Sequence, residues 1–366
     1  MKSSELGIGY ETRWAGRQAA RQTTAKRPLW LVKLLNYEYW NWWVFYLPLL
    51  PYYLWLAWRA RSFTFFTAVN PGIEAGGFFG ESKIGILDQL PGAYKPFSVF
   101  FAQNASFAQV LQQLENQGLR FPVVCKPDVG ERGTRVEKLN DEAALRDYLA
   151  NHTGALIVQE YVGFACELGV MFHRMPGDAA GRVTSITAKE FLSVTGDGRS
   201  TLAQLMQQSD RARFQLRRMR QRLGDAAMNE VPPAGEKRLL EPIGNHCRGT
   251  LFRNANHLID DRLHEVFSRI ALGFKGFDYG RFDLKVSSLE DLYAGRNIRI
   301  MELNGVSAEP AHIYDPAYTL RAAYRDLTRH LDLIYRTSRA NRRRGVRPVP
   351  ARLLLQQVWR HFRRKI

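Results

Sequence analysis

The sequence predicts an α+β protein built on antiparallel sheet, and three observations predict it. Short apolar runs of strand length alternate with helical stretches between residues 105 and 304. Successive strand-like runs at 155–161, 166–174 and 182–193 follow one another with no helix between them, an order that suits antiparallel pairing. The body from 63 to 335 carries 32 basic and 32 acidic groups, and apolar residues make up 45% of the chain, so 366 residues suffice for a sizeable core.

Taken in order, the chain opens on a basic segment: residues 1–62 hold nine basic and three acidic groups. Charges run through the first 28 residues without an apolar stretch, so no cleavable signal is expected. The uncharged run 40–58 (WNWWVFYLPLLPYYLWLAW) just reaches the length of a membrane span. Pro48 and Pro51 would interrupt a helix there, and nine of its nineteen residues are aromatic, a composition suited to the headgroup boundary. The run reads as a broken interfacial hairpin, with a buried arm packed on the body and a true span as alternatives. Residues 63–119 form a short region before the main domain, expected over 120–335. Helices are expected at 105–118, 141–149, 201–208, 211–223 and 263–272, and strands at 121–126, 155–161, 166–174, 182–193, 279–286 and 298–304. Residues 336–366 hold eleven basic and no acidic groups, and 352–365 read as a basic amphipathic helix of the kind that binds anionic surfaces. The net charge of +17 thus sits wholly in the two tails. It suits anionic lipid or nucleic acid, or a merely solubilising role. Three cysteines without paired spacing fit reduced thiols and exclude a disulfide framework or structural zinc. No internal repeat is present.

Chemistry concentrates on two strands, GRFDLKV (280–286) and IRIMELN (298–304). Alternation puts Arg281 and Asp283 on one face, and Glu302 and Asn304 on one face with Ile300, opposite Met301 and Leu303. A hairpin through 287–297 would join these faces into a hard-oxygen site fit for Mg²⁺; a solvated face with a surface Arg–Asp pair is the plain alternative. Upstream, FPVVCKPDVGERGTRV ends a strand on Lys126 and continues into a loop with Gly130 and Gly133, whose backbone can approach phosphate closely. It is not a Walker motif. LIVQEYVGFACELGV offers a strand end at Glu160, Tyr161 and Val162, followed by Glu167.

Together with SITAKEFLSVTGDGRSTLAQL and GEKRLLEPIGNHCRGT, these segments resemble the ATP-grasp superfamily, with D-alanine–D-alanine ligase and the ATP-grasp part of cyanophycin synthetase as the nearest likenesses. The likeness covers roughly residues 80–318. It implies two α+β subdomains whose antiparallel sheets grip ATP, and ADP-forming ligation of a carboxylate to an amine through an acyl phosphate. Lys126 and Lys189 would hold the phosphates, with Lys83 as a third, under a lid containing Gly130 and Gly133. Glu160, Tyr161 and Val162 would form the adenine hinge, and Glu167 would take the ribose. Asp283, Glu302 and Asn304 would hold Mg²⁺, as two ions, with Mn²⁺ admissible. Arg281 and Lys189 would stabilise charge during transfer. The family's complete first domain is missing or reduced, so the acid and the nucleophile stay unnamed. His246 and Arg248 are candidates to approach the acceptor, and Glu309 and His312 are either amine contacts or turn residues. A homodimer is compatible with the resemblance, and no specific nucleic acid is expected. The tails suggest an amphiphilic substrate and peripheral attachment to the cytoplasmic face of a membrane. Two other functions remain open: an ATP-grasp kinase acting on a hydroxyl, and a non-catalytic basic binder of membrane or nucleic acid.

Overall fold

Antiparallel pairing joins the strands into three sheets, and helices pack on the two larger ones. The computed structural model describes residues 27–130, 133 and 135–363. The basic leader, lid positions 131, 132 and 134, and the last three residues lie outside the described residues.

From the N-terminus come α1 (Leu29–Leu35), α2 (Trp42–Tyr46), α3 (Leu50–Ala60) and α4 (Lys83–Leu87). The first sheet uses β1 (Ser98–Phe101), β2 (Val123–Pro127), β3 (Glu137–Leu139) and β4 (Leu156–Glu160), with α5 (Phe107–Asn116) and α6 (Glu142–Ala150) between them. Its order is β1–β4–β2–β3, all antiparallel. Strands β5 (Cys166–His173) and β6 (Arg182–Glu190) follow, then β7 (Ser193–Thr195), α7 (Leu202–Gln207), α8 (Asp210–Asn229), β8 (Lys237–Leu239) and β9 (Leu251–Asn254). The chain continues through α9 (Asp261–Leu272), β10 (Tyr279–Val286), α10 (Leu289–Ala294), β11 (Ile298–Asn304), α11 (Leu320–Arg343) and α12 (Ala351–Arg363). The second sheet runs β11–β10–β5–β6–β9, and β7–β8 form a small ribbon.

Local chemistry starts the helices where they start. Ser106 and Gln109 close a capping box on α5, and Thr201 and Gln204 one on α7. Asp141 and Asp260 cap α6 and α9. The expected helix 211–223 begins one residue earlier and ends at a kink: Gly224, at φ +81°, leaves helical geometry, and a further helical piece runs on to Asn229. The first sheet buries Val123, Cys125 and Val158 against Val110 and Leu145 of α5 and α6. The second buries Val170, Phe172, Ile186, Phe282 and Leu284 against Leu263, Phe267 and Ile270 of α9. Its opposite face is covered at one end by α11, where the Tyr279 hydroxyl meets His330 Nδ1 at 3.0 Å. The other end stays open, and there the charged side chains collect.

Two elements cross the expected divisions. Strand β1 pairs with β4, so the first sheet reaches back to residue 98, ahead of the division at 120. Helix α11 runs unbroken across residue 335, so 336–343 finish a helix docked on the body rather than begin a tail.

The aromatic run folds as the alternative reading had it, an arm packed on the body. Pro48 and Pro51 stand in the first turns of successive helical pieces, where a missing N–H costs nothing. Leu56 and Ala57 of α3 are buried with Phe65, Val69, Ile334 and Tyr335, and Phe45 of α2 is buried against Ile313, Ala323 and Leu327. The outer side stays bare: Trp42, Trp43, Leu47, Trp55 and Trp58 are all exposed, Trp58 at 76%. Among the described residues no helix is long and apolar enough to cross a membrane.

Candidate active site

Two cavities meet between the sheets. The smaller, about 170 Å³, lies between the first sheet and the open face of the second, against Lys126, Gln159, Tyr161, Val162, Glu167 and Met301. The larger, about 780 Å³, opens from it toward the arm. Lys83, Gly130, Gly133, Lys189, Asp283 and Glu302 line both, and so mark the junction.

The junction is assembled by strand register. Asp283 pairs with Glu302 across β10 and β11, and Arg281 with Asn304. On the other side Asp283 faces Gly169 of β5. A Cβ at that glycine would stand 3.2 Å from Arg281 Cδ and 3.3 Å from Asp283 Oδ1, so the missing side chain gives these two their space. Arg281 donates through Nε and Nη2 to Asp283, the latter at 2.9 Å. Lys189 Nζ lies 3.0 Å from Asp283 and 3.1 Å from Glu167. Asn304 Nδ2 donates to Asp283 Oδ2 at 2.8 Å. Burial opposes the charge on Asp283, but Arg281 and Lys189 prevail and hold its carboxyl at about 2. Burial likewise opposes the charge on Lys189, yet Asp283 and Glu167 raise its pKa. Glu302 makes no hydrogen bond or ion pair among the described residues, although Lys126 and Arg281 both feel its charge.

Lys126 reaches the same junction from the first sheet. Its Nζ donates to Gln159 Oε1 at 3.2 Å and to the Met301 carbonyl at 3.1 Å, and burial lowers its pKa to about 8. Lys83 donates to the Gly130 carbonyl and tethers the glycine loop. Gly133 holds φ +67°, a conformation other residues resist, and its carbonyl accepts from Arg248.

Most of the expected site residues therefore converge. Lys83, Lys126, Gly130, Gly133, Tyr161, Val162, Glu167, Lys189, Asp283 and Glu302 line the smaller cavity, and Arg281 and Asn304 the larger. Glu160 departs from expectation. It lines neither cavity, its N–H donates to the Phe97 carbonyl, and its carboxylate accepts from the Phe97 amide. The cause is its place as the last residue of β4, pointing away from the cleft that Gln159 faces. Arg248 also departs: it binds Gly133, Val136 and Glu241, whereas His246 lines the larger cavity. His312 is a buried turn residue bonded to Ser185 and Asp326. A third correction concerns β11. A bulge sets Leu284 opposite Ile300 and leaves Met301 unpaired, so Ile300 joins the core and Met301 turns to the smaller cavity.

Other groups at the site carry weaker signals in the sequence. Lys285 continues the Arg281–Asp283 alternation, and its Nζ donates to the Val162 carbonyl at 3.0 Å. Lys138 stacks over Tyr161 at 4.0 Å. On the far wall of the larger cavity, Trp40, Trp42 and Phe45 of the arm face Phe252 and Tyr314. There Glu38 takes an ion pair from Arg211, and His246 Nε2 lies 3.4 Å from the same carboxylate.

No family model matches the chain, and no curated protein matches it in sequence. Solved structures do. A bifunctional glutathione synthetase from Pasteurella multocida is similar at 15% identity and a TM-score of 0.39, over 69% of this chain and 35% of its own. A D-alanine–D-alanine ligase from Bacillus anthracis is similar at 15% identity and a TM-score of 0.40, over 72% of this chain and 69% of its own. The ATP-grasp ligase PsnB, complexed with a minimal precursor, is similar at 17% identity and a TM-score of 0.35, over 69% of this chain and 60% of its own. The chain spans about a third of the synthetase and three fifths of PsnB.

The donor set of this cleft suits a hard cation. Two carboxylates paired across strands and a neighbouring amide are the oxygen ligands that Mg²⁺ takes together with phosphates. Among the described residues no three His, Cys, Asp or Glu side chains form a ready cluster.

Proposed function

We propose that the protein is an ADP-forming ligase that joins a carboxylate to an amine through an acyl phosphate. The observation that carries this reading is the paired carboxylates Asp283 and Glu302 between lysines from two different sheets, Lys126 and Lys189, at the junction of a small and a large cavity. The small cavity suits the base and ribose, with Tyr161, Val162 and Met301 around the ring and Glu167 toward the hydroxyls. The phosphates would run to the junction, where Lys126, Lys189 and Lys83 neutralise them under the loop of Gly130 and Gly133. Asp283, Glu302 and Asn304 would hold Mg²⁺, which supplies charge neutralisation for phosphoryl transfer.

The acid lies in the larger cavity, its carboxylate directed at the junction. Arg281 stands beside it to hold the carbonyl oxygen as negative charge develops; a group in that role is worth about 3–4 kcal/mol of the barrier. The amine then attacks the acyl carbon and phosphate leaves. Closure of the glycine loop would keep water from the acyl phosphate.

The arm bears on the substrate. It walls the larger cavity with aromatic rings and presents others to solvent, and Trp42 does both, lining the cavity while 63% exposed. That continuity supports an amphiphilic substrate, met by a peripheral enzyme on the cytoplasmic face of an anionic membrane.

The direct test is a screen of carboxylate and amine pairs for coupled release of ADP and phosphate with a new amide, using Asp283→Ala as control. Amide that appears only with wild-type protein supports the reading. A stable phosphoester with ADP and no free phosphate would instead make the protein a kinase, and salt-sensitive DNA binding without ATP turnover a non-enzyme.

A further inference from the structure

The larger cavity contains an acidic group that phosphoryl transfer does not use. Glu309 follows β11 on the loop into the turn Ala311–Tyr314, and it lines the cavity beside Arg281. Its backbone carbonyl accepts from Arg281 Nη1 at 3.2 Å, which fixes the loop to the strand that carries the proposed oxyanion group. Its carboxylate has one partner, the Tyr314 hydroxyl, which donates to Oε2 at 3.1 Å. Among the described residues, Oε1 has no donor and no basic side chain lies within ion-pair distance.

The surrounding charges are engaged elsewhere. Arg281 is bonded to Asp283 on β10, and Glu38 of the arm is neutralised by Arg211 and near His246. The His246 ring, on the turn His246–Arg248, lies 5.2 Å from the Tyr314 ring. A carboxylate in a cavity, tied to the oxyanion group yet given no cation, fits a cation brought by the substrate.

We propose that Glu309 is the acceptor site of the ligase: its carboxylate binds the ammonium of the incoming nucleophile and removes a proton from it. This rests on the ligase reading above. The ammonium gives one proton to Glu309 Oε1 and becomes a neutral amine. Its freed lone pair forms the N–C bond to the acyl carbon, the C–O bond to phosphate breaks, and phosphate departs with that electron pair. The second N–H proton leaves with the phosphate. Burial supports the assignment by raising the Glu309 carboxyl to about 7, a value that suits a base near neutral pH.

The test compares two acceptors on the full-length protein, using an acid found active with ATP in a panel of fatty, N-acylamino and aromatic carboxylates. Hydroxylamine is uncharged at neutral pH and traps the acyl phosphate as hydroxamate without needing a base; a primary amine, charged at the same pH, needs one. Glu309→Gln keeps an oxygen for Tyr314, and its circular dichroism and ATP-analogue binding report folding. The variant is expected to make hydroxamate at the wild-type rate, to form amide about 10²-fold more slowly, and to lose the acid limb near pH 7. Glu309→Asp is expected to restore part of the amide rate. Equal loss of hydroxamate and amide in a folded Glu309→Gln, or an unchanged amide rate and pH profile, overturns the base assignment alone. Absence of hydroxamate from wild-type protein with every acid overturns the ligase reading and this inference with it.

Discussion

Asp283 shows how much of the site is electrostatic preorganisation. Its carboxyl is held at about 2 against an ordinary value near 3.8 because Arg281 and Lys189 outweigh burial. A depressed folded-state pKa gives stability that is present above the unfolded value and lost as pH falls toward the folded one. Wild-type unfolding free energy should therefore fall between pH 4 and pH 2, and Asp283→Asn should show a shallower slope there. The variant also strands two buried cations, so urea titration at pH 7 should find it less stable by about 3–5 kcal/mol. Lys126 gives the opposite case. Burial lowers its pKa to about 8, so at pH 9 much of it is neutral in the free protein. A bound triphosphate favours the charged form, hence binding should take up protons at that pH. Calorimetry of an ATP analogue in buffers of different ionisation enthalpy should show the uptake, and Lys126→Met should abolish it. A buffer-independent enthalpy at pH 9 would mean that Lys126 does not meet the phosphates.

Among the elements, β10 and β11 carry the site and α3 carries the arm. Alternation along GRFDLKV was enough to put Arg281 and Asp283 on one face, because a strand with no bulge obeys a period of two. The same rule misassigned Ile300 and Met301, because a bulge between paired strands leaves no mark in one strand's composition. Gln159 and Glu160 differ by one position, which is enough to put one in the cleft and turn the other away from it. Strands β3, β7, β8 and β9 escape a reading of periodicity because three or four residues are too few to show one. The arm's prolines were legible as interruptions, but what it packs against was not, since Leu56 meets residues far along the chain. Leu56 is fully buried among α3, Val69 and α11. Leu56→Ala should cost about 2–5 kcal/mol by chemical denaturation, as for other buried leucines. A loss within about 0.5 kcal/mol, the size of a surface change, would show that the arm is not docked in solution.

Across the whole molecule, the C-terminal segment docks beside the end of the arm. The Thr64 hydroxyl donates to the Val349 carbonyl, the Val349 N–H donates to the Thr67 hydroxyl, Gln357 of α12 donates to Glu74 at 2.9 Å, and Arg342 of α11 donates to the end of α3. Thus Leu353, Leu355 and Trp359 of α12 stand exposed on a segment docked beside the root of the arm, which itself exposes Trp58 and Phe63. The charge partition was visible in the sequence, but this juxtaposition depends on α11 reaching past residue 335 and was not. The protein should co-sediment with vesicles containing phosphatidylserine and less with phosphatidylcholine alone, with binding weakened by salt. Replacing Trp42, Trp43 and Trp58 with serine should weaken it further, and wild-type binding that ignores both lipid charge and these residues would remove the case for a membrane-facing arm. At the centre of the proposed reaction, a triphosphate would bridge lysines of two sheets while its Mg²⁺ would rest on Asp283 and Glu302. Calorimetric titration with β,γ-imido-ATP, with and without Mg²⁺, tests it most directly. Mg²⁺ is predicted to tighten binding about tenfold or more in wild-type protein, an effect that Glu302→Gln removes. Binding that is equally tight without Mg²⁺, and unchanged by Glu302→Gln and Lys126→Met, would contradict the account.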